Sequence, residues 1–206
     1  MKKGYLFFLL VIIIAVVIFA GEIIVQKYQN YHIEPHTNEK YHFTISYPKT
    51  YQDFQKKELE LEDAVSQIQV SVSGESVNEY MKNINMSENI INLKSAKSGM
   101  RLLVDAIYTP KTQLDLEEIC HRYAVMFKIY NEELTILSKQ DEIVKIGDID
   151  VGKVILTVRG KGENSVVIAY LFSLEDREFT VTFMTSESKL ETVQKEIERI
   201  IQSVTF

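Results

Sequence analysis

The sequence predicts an α+β domain, an α/β/α sandwich around a mostly antiparallel sheet, preceded by one N-terminal transmembrane helix. Three observations predict it. Residues 4–21 are eighteen successive positions without a charged side chain. Four apolar or alternating segments crowd into residues 142–184, separated by turns too short for parallel crossovers. Apolar residues recur at three- and four-residue steps over residues 116–134 and 190–204, which marks two amphipathic helices. The chain divides on this reading into a signal anchor at residues 1–25, a juxtamembrane stalk at 26–40 and an extracytoplasmic domain at 41–206.

A helix rising about 1.5 Å per residue needs a run of this length to cross a hydrocarbon core about 30 Å thick. Ile23, Ile24 and Val25 carry the apolar character past Glu22. Lys2 and Lys3 lie on the short side, so the positive-inside bias keeps the N-terminus cytoplasmic and sends the rest across the membrane. A cleaved signal peptide is the competing reading. Its apolar region would be long, and Ile18 stands where cleavage after Ala20 wants a small residue. No cysteine closes the run, which excludes a lipid-modified N-terminus. Lys2-Lys3-Gly4-Tyr5 is also similar to the start of a type IV pilin or pseudopilin, cut after such a glycine. Leu9 occupies the fifth mature position, where most of those proteins carry glutamate.

Residues 26–40 are polar and aromatic, and Pro35 would end any continuation of the membrane helix. Tyr41, Phe43, Ile45 and Tyr47 alternate with His42, Thr44 and Ser46, the period of a half-buried strand that Pro48 ends. Ile68, Val70 and Val72 alternate likewise. Ser76 and Glu79 have capping-box spacing ahead of an apolar face at Val77, Tyr80, Met81 and Ile84. Residues 83–98 are polar and aperiodic and read as a loop; residues 100–108 read as a strand closed by Pro110.

Leu116, Ile119, Tyr123, Phe127, Tyr130 and Leu134 give a helix its buried stripe, with Glu117, Glu118, Arg122 and Lys128 on the wet side. Strands follow at residues 142–146, 151–158, 165–172 and 178–184. Their turns are Gly147-Asp148, Gly160-Lys161-Gly162 and Glu175-Asp176-Arg177. A last helix opens with a second capping box, Ser188 and Glu191, and buries Leu190, Val193, Ile197, Ile200, Ile201 and Val204.

A net charge of −6 argues against nucleic acid and against simple charge attraction to anionic lipid. Three prolines and eight glycines leave little room for long disordered linkers. Cys120 is alone, so no internal disulfide forms and the hydrophobic core must hold the domain; beside Ile119 in a helical pattern it reads as a small buried side chain.

Phe43-Thr44-Ile45-Ser46-Tyr47-Pro48, with Tyr51 behind it, resembles the opening strand of PsbP/Mog1-like domains. Phe179-Thr180-Val181-Thr182-Phe183, a helix, and Ile200-Ile201-Gln202-Ser203-Val204-Thr205-Phe206 are similar to that family's ending. Tyr51 stands where tryptophan is often found. The resemblance spans roughly residues 41–206. It implies the sandwich fold and an accessory or binding role at a membrane, as in many tethered bacterial members; it carries over no functional residue.

Each chemical motif has a plainer structural explanation. His32, Glu34, His36 and His42 could ligate a metal, but Pro35 breaks a helical histidine pair and stalk polarity explains them. Asp148-Ile149-Asp150 has the spacing of a metal-bridging pair and also suits a turn beside Gly147. Gly160-Lys161-Gly162 joins strand to strand, so no helix N-terminus follows to hold phosphate. Glu58, Glu60, Glu62 and Asp63 suit a charged edge strand, and Asn85-Met86-Ser87 matches a glycosylation acceptor without consequence in a bacterial chain.

The sequence therefore points to a non-enzymatic, membrane-tethered accessory or binding module, with no catalytic, cofactor or metal residue assigned. Its expected partners are the lipid bilayer and another envelope or membrane protein, not nucleic acid. Two other classes stay open: an envelope hydrolase or transferase with dispersed site residues, and a pilin-like subunit.

Overall fold

The computed structural model describes residues 33–54, 87–108, 115–160, 162–174 and 177–206. The expected anchor, the strand at residues 68–72, the helix opened by Ser76 and the acidic run at residues 58–63 lie outside them, as do His32, Asn85 and Lys161.

The strands are β1 (Ile33–Asn38), β2 (Phe43–Pro48), β3 (Tyr51–Asp53), β4 (Ser87–Ser95) and β5 (Arg101–Tyr108), followed after helix α1 (Leu116–Tyr130) by β6 (Thr135–Ile146), β7 (Ile149–Arg159), β8 (Ser165–Ser173) and β9 (Arg177–Ser186). A 3-10 turn (Glu187–Lys189) leads into α2 (Leu190–Ile201). Seven strands form one sheet in the order β3-β4-β5-β9-β8-β7-β6, and β1 and β2 form a separate hairpin. Every described pairing is antiparallel. β6 to β9 make a meander, as their short turns require, and β9 then inserts beside β5. Gly147 in the β6–β7 turn takes a φ of 58°, the left-handed conformation that favours glycine.

Alternation along the strands sorts side chains onto two faces. Leu102, Val104 and Ala106 of β5 and Phe179, Val181 and Phe183 of β9 join Val193, Ile197, Ile200 and Ile201 of α2 in the larger core. Val154, Leu156, Val158, Val167, Ala169 and Leu171 take Ile119, Cys120 and Ala124 of α1 on the opposite face. β8 is buried throughout residues 166–172, because both helices cover it. The C-terminal tail closes the larger core. Thr44 and Thr205 exchange backbone hydrogen bonds of 2.9 and 3.0 Å, and Ser203 Oγ accepts from Ser46 N at 2.8 Å.

Several expectations are corrected. Residues 33–38, placed in the stalk, are a strand: β1 pairs with β2 from Ile33↔Pro48 to Asn38↔Phe43, and Pro35 sits in a two-stranded ladder that any helix would exclude. Residues 87–95, read as loop, are β4. A bulge between Asn89 and Ile91 lets Ile90 and Ile91 both pack on the larger core, which erases the period of two from the sequence. β6 starts at Thr135, well before residue 142. Leu134 lies beyond α1, whose end is capped by Asn131 N bonding Lys128 O. The second capping box does not form. Leu190 N already bonds Glu187 O across the 3-10 turn, and Ser188 Oγ donates to Glu163 instead.

Cys120 is 1% exposed, and burial pushes its thiol up to about 11. It sits over Gly152 of β7, where an added Cβ would lie 2.5 Å from Sγ. Gly152→Ala is therefore expected to cost about 1–3 kcal/mol by overpacking. Cys120→Ala in the same chain should restore most of it, since the new methyl then fills the space the sulfur leaves. Urea titrations of the two single variants and the double variant read the coupling; additive losses would place the strain elsewhere.

Candidate functional site

The α1 side of the sheet carries polar groups on its β4–β5–β9 half. Because β5 sends its even-numbered residues to the larger core, Arg101, Leu103 and Asp105 face the other way. β9 adds Glu178, Thr180 and Thr182, all buried. The bulge in β4 sets Asn89 directly opposite Asp105, and Asn92 opposite Leu103.

These groups are tied in pairs. Arg122 of α1 forms an ion pair with Glu178; their side chains are 21% and 8% exposed. Tyr123 Oη and Thr182 Oγ1 lie 3.2 Å apart. Asn89 Nδ2 donates to Asp105 Oδ1 at 2.7 Å, and Arg101 Nε donates to Asn92 Oδ1 at 3.0 Å. The Arg101 guanidinium stands 4.7 Å from the centroid of the Phe54 ring, with Lys94 Nζ at 5.3 Å. Burial raises the Asp105 carboxyl above the usual carboxylate range, opposed by the Asn89 amide and the Arg101 charge. Burial likewise raises the Tyr123 phenol and lowers Arg101, the latter against the pull of Asp105.

Donors and acceptors held this way can recognise a polar surface. They also give Asp105 a measurable pH signature. A carboxyl raised in the folded state binds its proton more tightly there than in the unfolded chain. Its contribution is full below the unfolded value of about 3.9 and is lost as pH rises through the folded value. Asp105→Asn keeps an oxygen for Asn89 to donate to and removes the titration. We expect the variant to match the parent near pH 3.5 and to unfold at a higher temperature at pH 7. A parent more stable than the variant at pH 7 would mean that the ionised carboxylate is the favoured form.

Among the described residues, the motifs singled out in the sequence are not brought together. Glu34 is held by Lys49 at 2.6 Å, His36 stacks on Tyr47 with ring centroids 3.9 Å apart, and His42 lies in the β1–β2 turn at a φ of 50°. Asp148 is in the β6–β7 turn and Asp150 pairs with Lys145 across it at 2.9 Å. Gly160 and Gly162 lie within the β7–β8 connection. Among the described residues, no three His, Cys, Asp or Glu side chains gather to hold a metal ion.

The polar band is not legible in the sequence, whose helical pattern puts Arg122 on the wet side of α1. The signal that could have found it is Glu178, a carboxylate beside Phe179 at the start of a strand buried on both faces. Such a charge needs a cation. Tyr51, noted for its place after the opening strand, is buried and donates to Glu196 of α2 at 2.7 Å, so it fixes that helix to the sheet.

No protein-family model and no curated protein matches the sequence. Solved structures do. The PsbP protein CyanoP of Synechocystis sp. PCC 6803 superposes with a TM-score of 0.56 at 10% identity, covering 84% of this chain and 91% of that one. A mutant of protein Mog1 gives 0.49 at 10% identity over 84% and 95% of the two chains. LpqN, involved in cell envelope biogenesis of Mycobacterium tuberculosis, gives 0.46 at 6% over 84% and 90%. The described residues form a mostly antiparallel sheet with two helices in a PsbP/Mog1-like fold, as the resemblance of the opening and closing segments implied.

Proposed function

We propose that this chain is a non-enzymatic accessory or binding module held at the cell membrane by residues 1–25. On this reading the N-terminus is cytoplasmic and the domain lies outside, where Arg101, Asp105 and Arg122 of the polar band, with Glu178 buried behind Arg122, meet another envelope or membrane protein. The observation that most supports it is a PsbP/Mog1-like fold placed behind an uncharged eighteen-residue run. Among the described residues no helix is long and apolar enough to cross a membrane, so the tether rests on that run.

The test is topological. With a C-terminal tag, the full chain should stay with membranes through alkaline extraction, keep Met1, and lose its tag when spheroplasts meet external protease. A tag protected in intact spheroplasts, or a domain released after cleavage near Ala20, would contradict the proposal.

One observation favours a second reading. Burial raises the Asp105 carboxyl above the usual carboxylate range, the direction in which a general acid is tuned. An envelope hydrolase or transferase using it would turn over a cell-wall substrate and lose that turnover in Asp105→Asn. A binding module would show no turnover in either form.

A further inference from the structure

Among the described strands, β6 lies at one edge of the seven-stranded sheet and is 12 residues long. Such an edge presents unpaired backbone donors and acceptors, and proteins usually shorten or cover it. Here the side chains from Leu137 to Ile143 are all exposed, including the large apolar Leu137 at 41% and Ile143 at 44%. Leu137 is the extra residue of a bulge between Ile136 and Ser138, so the regular stretch of β6 runs from Ser138 onward.

We infer that the free edge of β6 pairs antiparallel with β6 of a second copy of this chain, about a two-fold axis through Gln140. Residues opposite each other across an antiparallel ladder are both hydrogen-bonded or both not. Two copies of one edge can therefore meet only with the axis through a residue, never between two.

Few registers remain, and side-chain chemistry separates them. An axis through Lys139 sets lysine against lysine; axes through Asp141 or Glu142 set carboxylate against carboxylate. An axis through Ser138 runs the ladder straight into the bulge at Leu137. Through Gln140, Lys139 meets Asp141 of the second copy and Ser138 meets Glu142 of the second copy, all within the regular stretch, and symmetry makes each contact twice. Lys139 and Asp141 are already 3.2 Å apart within one chain, so the pairing completes an alternating quartet of charges. Ile143 of each copy then lies next to the bulged Leu137 of the other at the ends of the paired stretch, and Ser138 can donate to Glu142 of the second copy. The result is a continuous fourteen-stranded sheet.

The experiment uses the full chain in mild detergent. Lys139→Asp places a like-charged contact on each side of the axis and should weaken dimerisation roughly tenfold or more by sedimentation. Adding Asp141→Lys reverses the quartet and should restore it; both residues are exposed, so the fold is unaffected by far-UV circular dichroism. Independently, Gln140→Cys should form an intermolecular disulfide on mild oxidation. Residues opposite in the ladder are about 4.5–5.5 Å apart, within the reach of a disulfide. Glu142→Cys should not, because its own symmetry mate is about 14 Å away along the strand. The parent chain, with Cys120 buried, is the blank. A monomeric chain, a dimer indifferent to Lys139→Asp, or cross-linking at residue 142 but not at 140 would each overturn the inference.

Discussion

Phe179→Ala is expected to cost about 3–5 kcal/mol, the range for truncating a fully buried phenylalanine. Phe179 is 0% exposed and lies on β9, between β5 and β8 in the middle of the sheet. Its ring stacks on Phe43 of β2 with centroids 5.4 Å apart, meets Tyr41 edge-on at 5.8 Å and touches Phe206 at 4.9 Å. One side chain thus joins the sheet, the β1–β2 hairpin and the C-terminal tail. Its removal opens a cavity that neighbours on three separate segments would have to move together to fill. Phe206, still 38% exposed, loses less apolar contact on truncation, so Phe206→Ala should cost clearly less. Urea midpoints rank the two. Equal losses would mean that the tail, rather than Phe179, organises this cluster.

Arg122→Ala should be similarly damaging, because it leaves the buried Glu178 carboxylate without the guanidinium that neutralises it. Breaking a buried pair by removing one partner costs about 3–5 kcal/mol. The 21% exposure of the Arg122 side chain lets some water in and favours the lower end. The double variant Arg122→Met with Glu178→Gln removes both charges and should recover most of the loss, so the cycle shows strong coupling. A cost of about 1 kcal/mol or less for Arg122→Ala, with additive behaviour, would instead describe a solvated surface pair. These two residues also lie in the proposed binding face. Any effect on partner capture must therefore be measured in the double variant, where the fold is kept and the charges are gone.

Legibility in the sequence followed how local the physics is. β5, α1, the β6–β9 meander and α2 were readable because each buries one stripe or face at its own period, with short turns between them. β1 was not, since its ladder is made with β2 alone and none of its side chains is buried, which leaves no hydrophobic alternation to see. β4 was hidden by its bulge, and the first half of β6 by its exposure at the sheet edge. The capping box at Ser188 was a correct spacing overruled by a 3-10 turn and a hydroxyl drawn to Glu163 on a neighbouring loop.

The polar band was the least legible part. Arg122 and Glu178 are 56 positions apart in the chain, and Asn89 and Asp105 are 16 apart. Only strand order and register bring them onto one face. The residues that looked chemical, His36, Asp148 and Asp150, turned out to serve a ring stack, a turn and a cross-turn ion pair.

The central claim is that a tethered domain works by engaging another envelope or membrane protein through its polar face. In-cell crosslinking tests it most directly, comparing the full chain, a fragment of residues 22–206, and the full chain carrying Arg122→Met with Glu178→Gln. The account predicts one stable membrane partner captured by the full chain and lost from both other forms. Equal capture by all three, or none by the full chain, would contradict it.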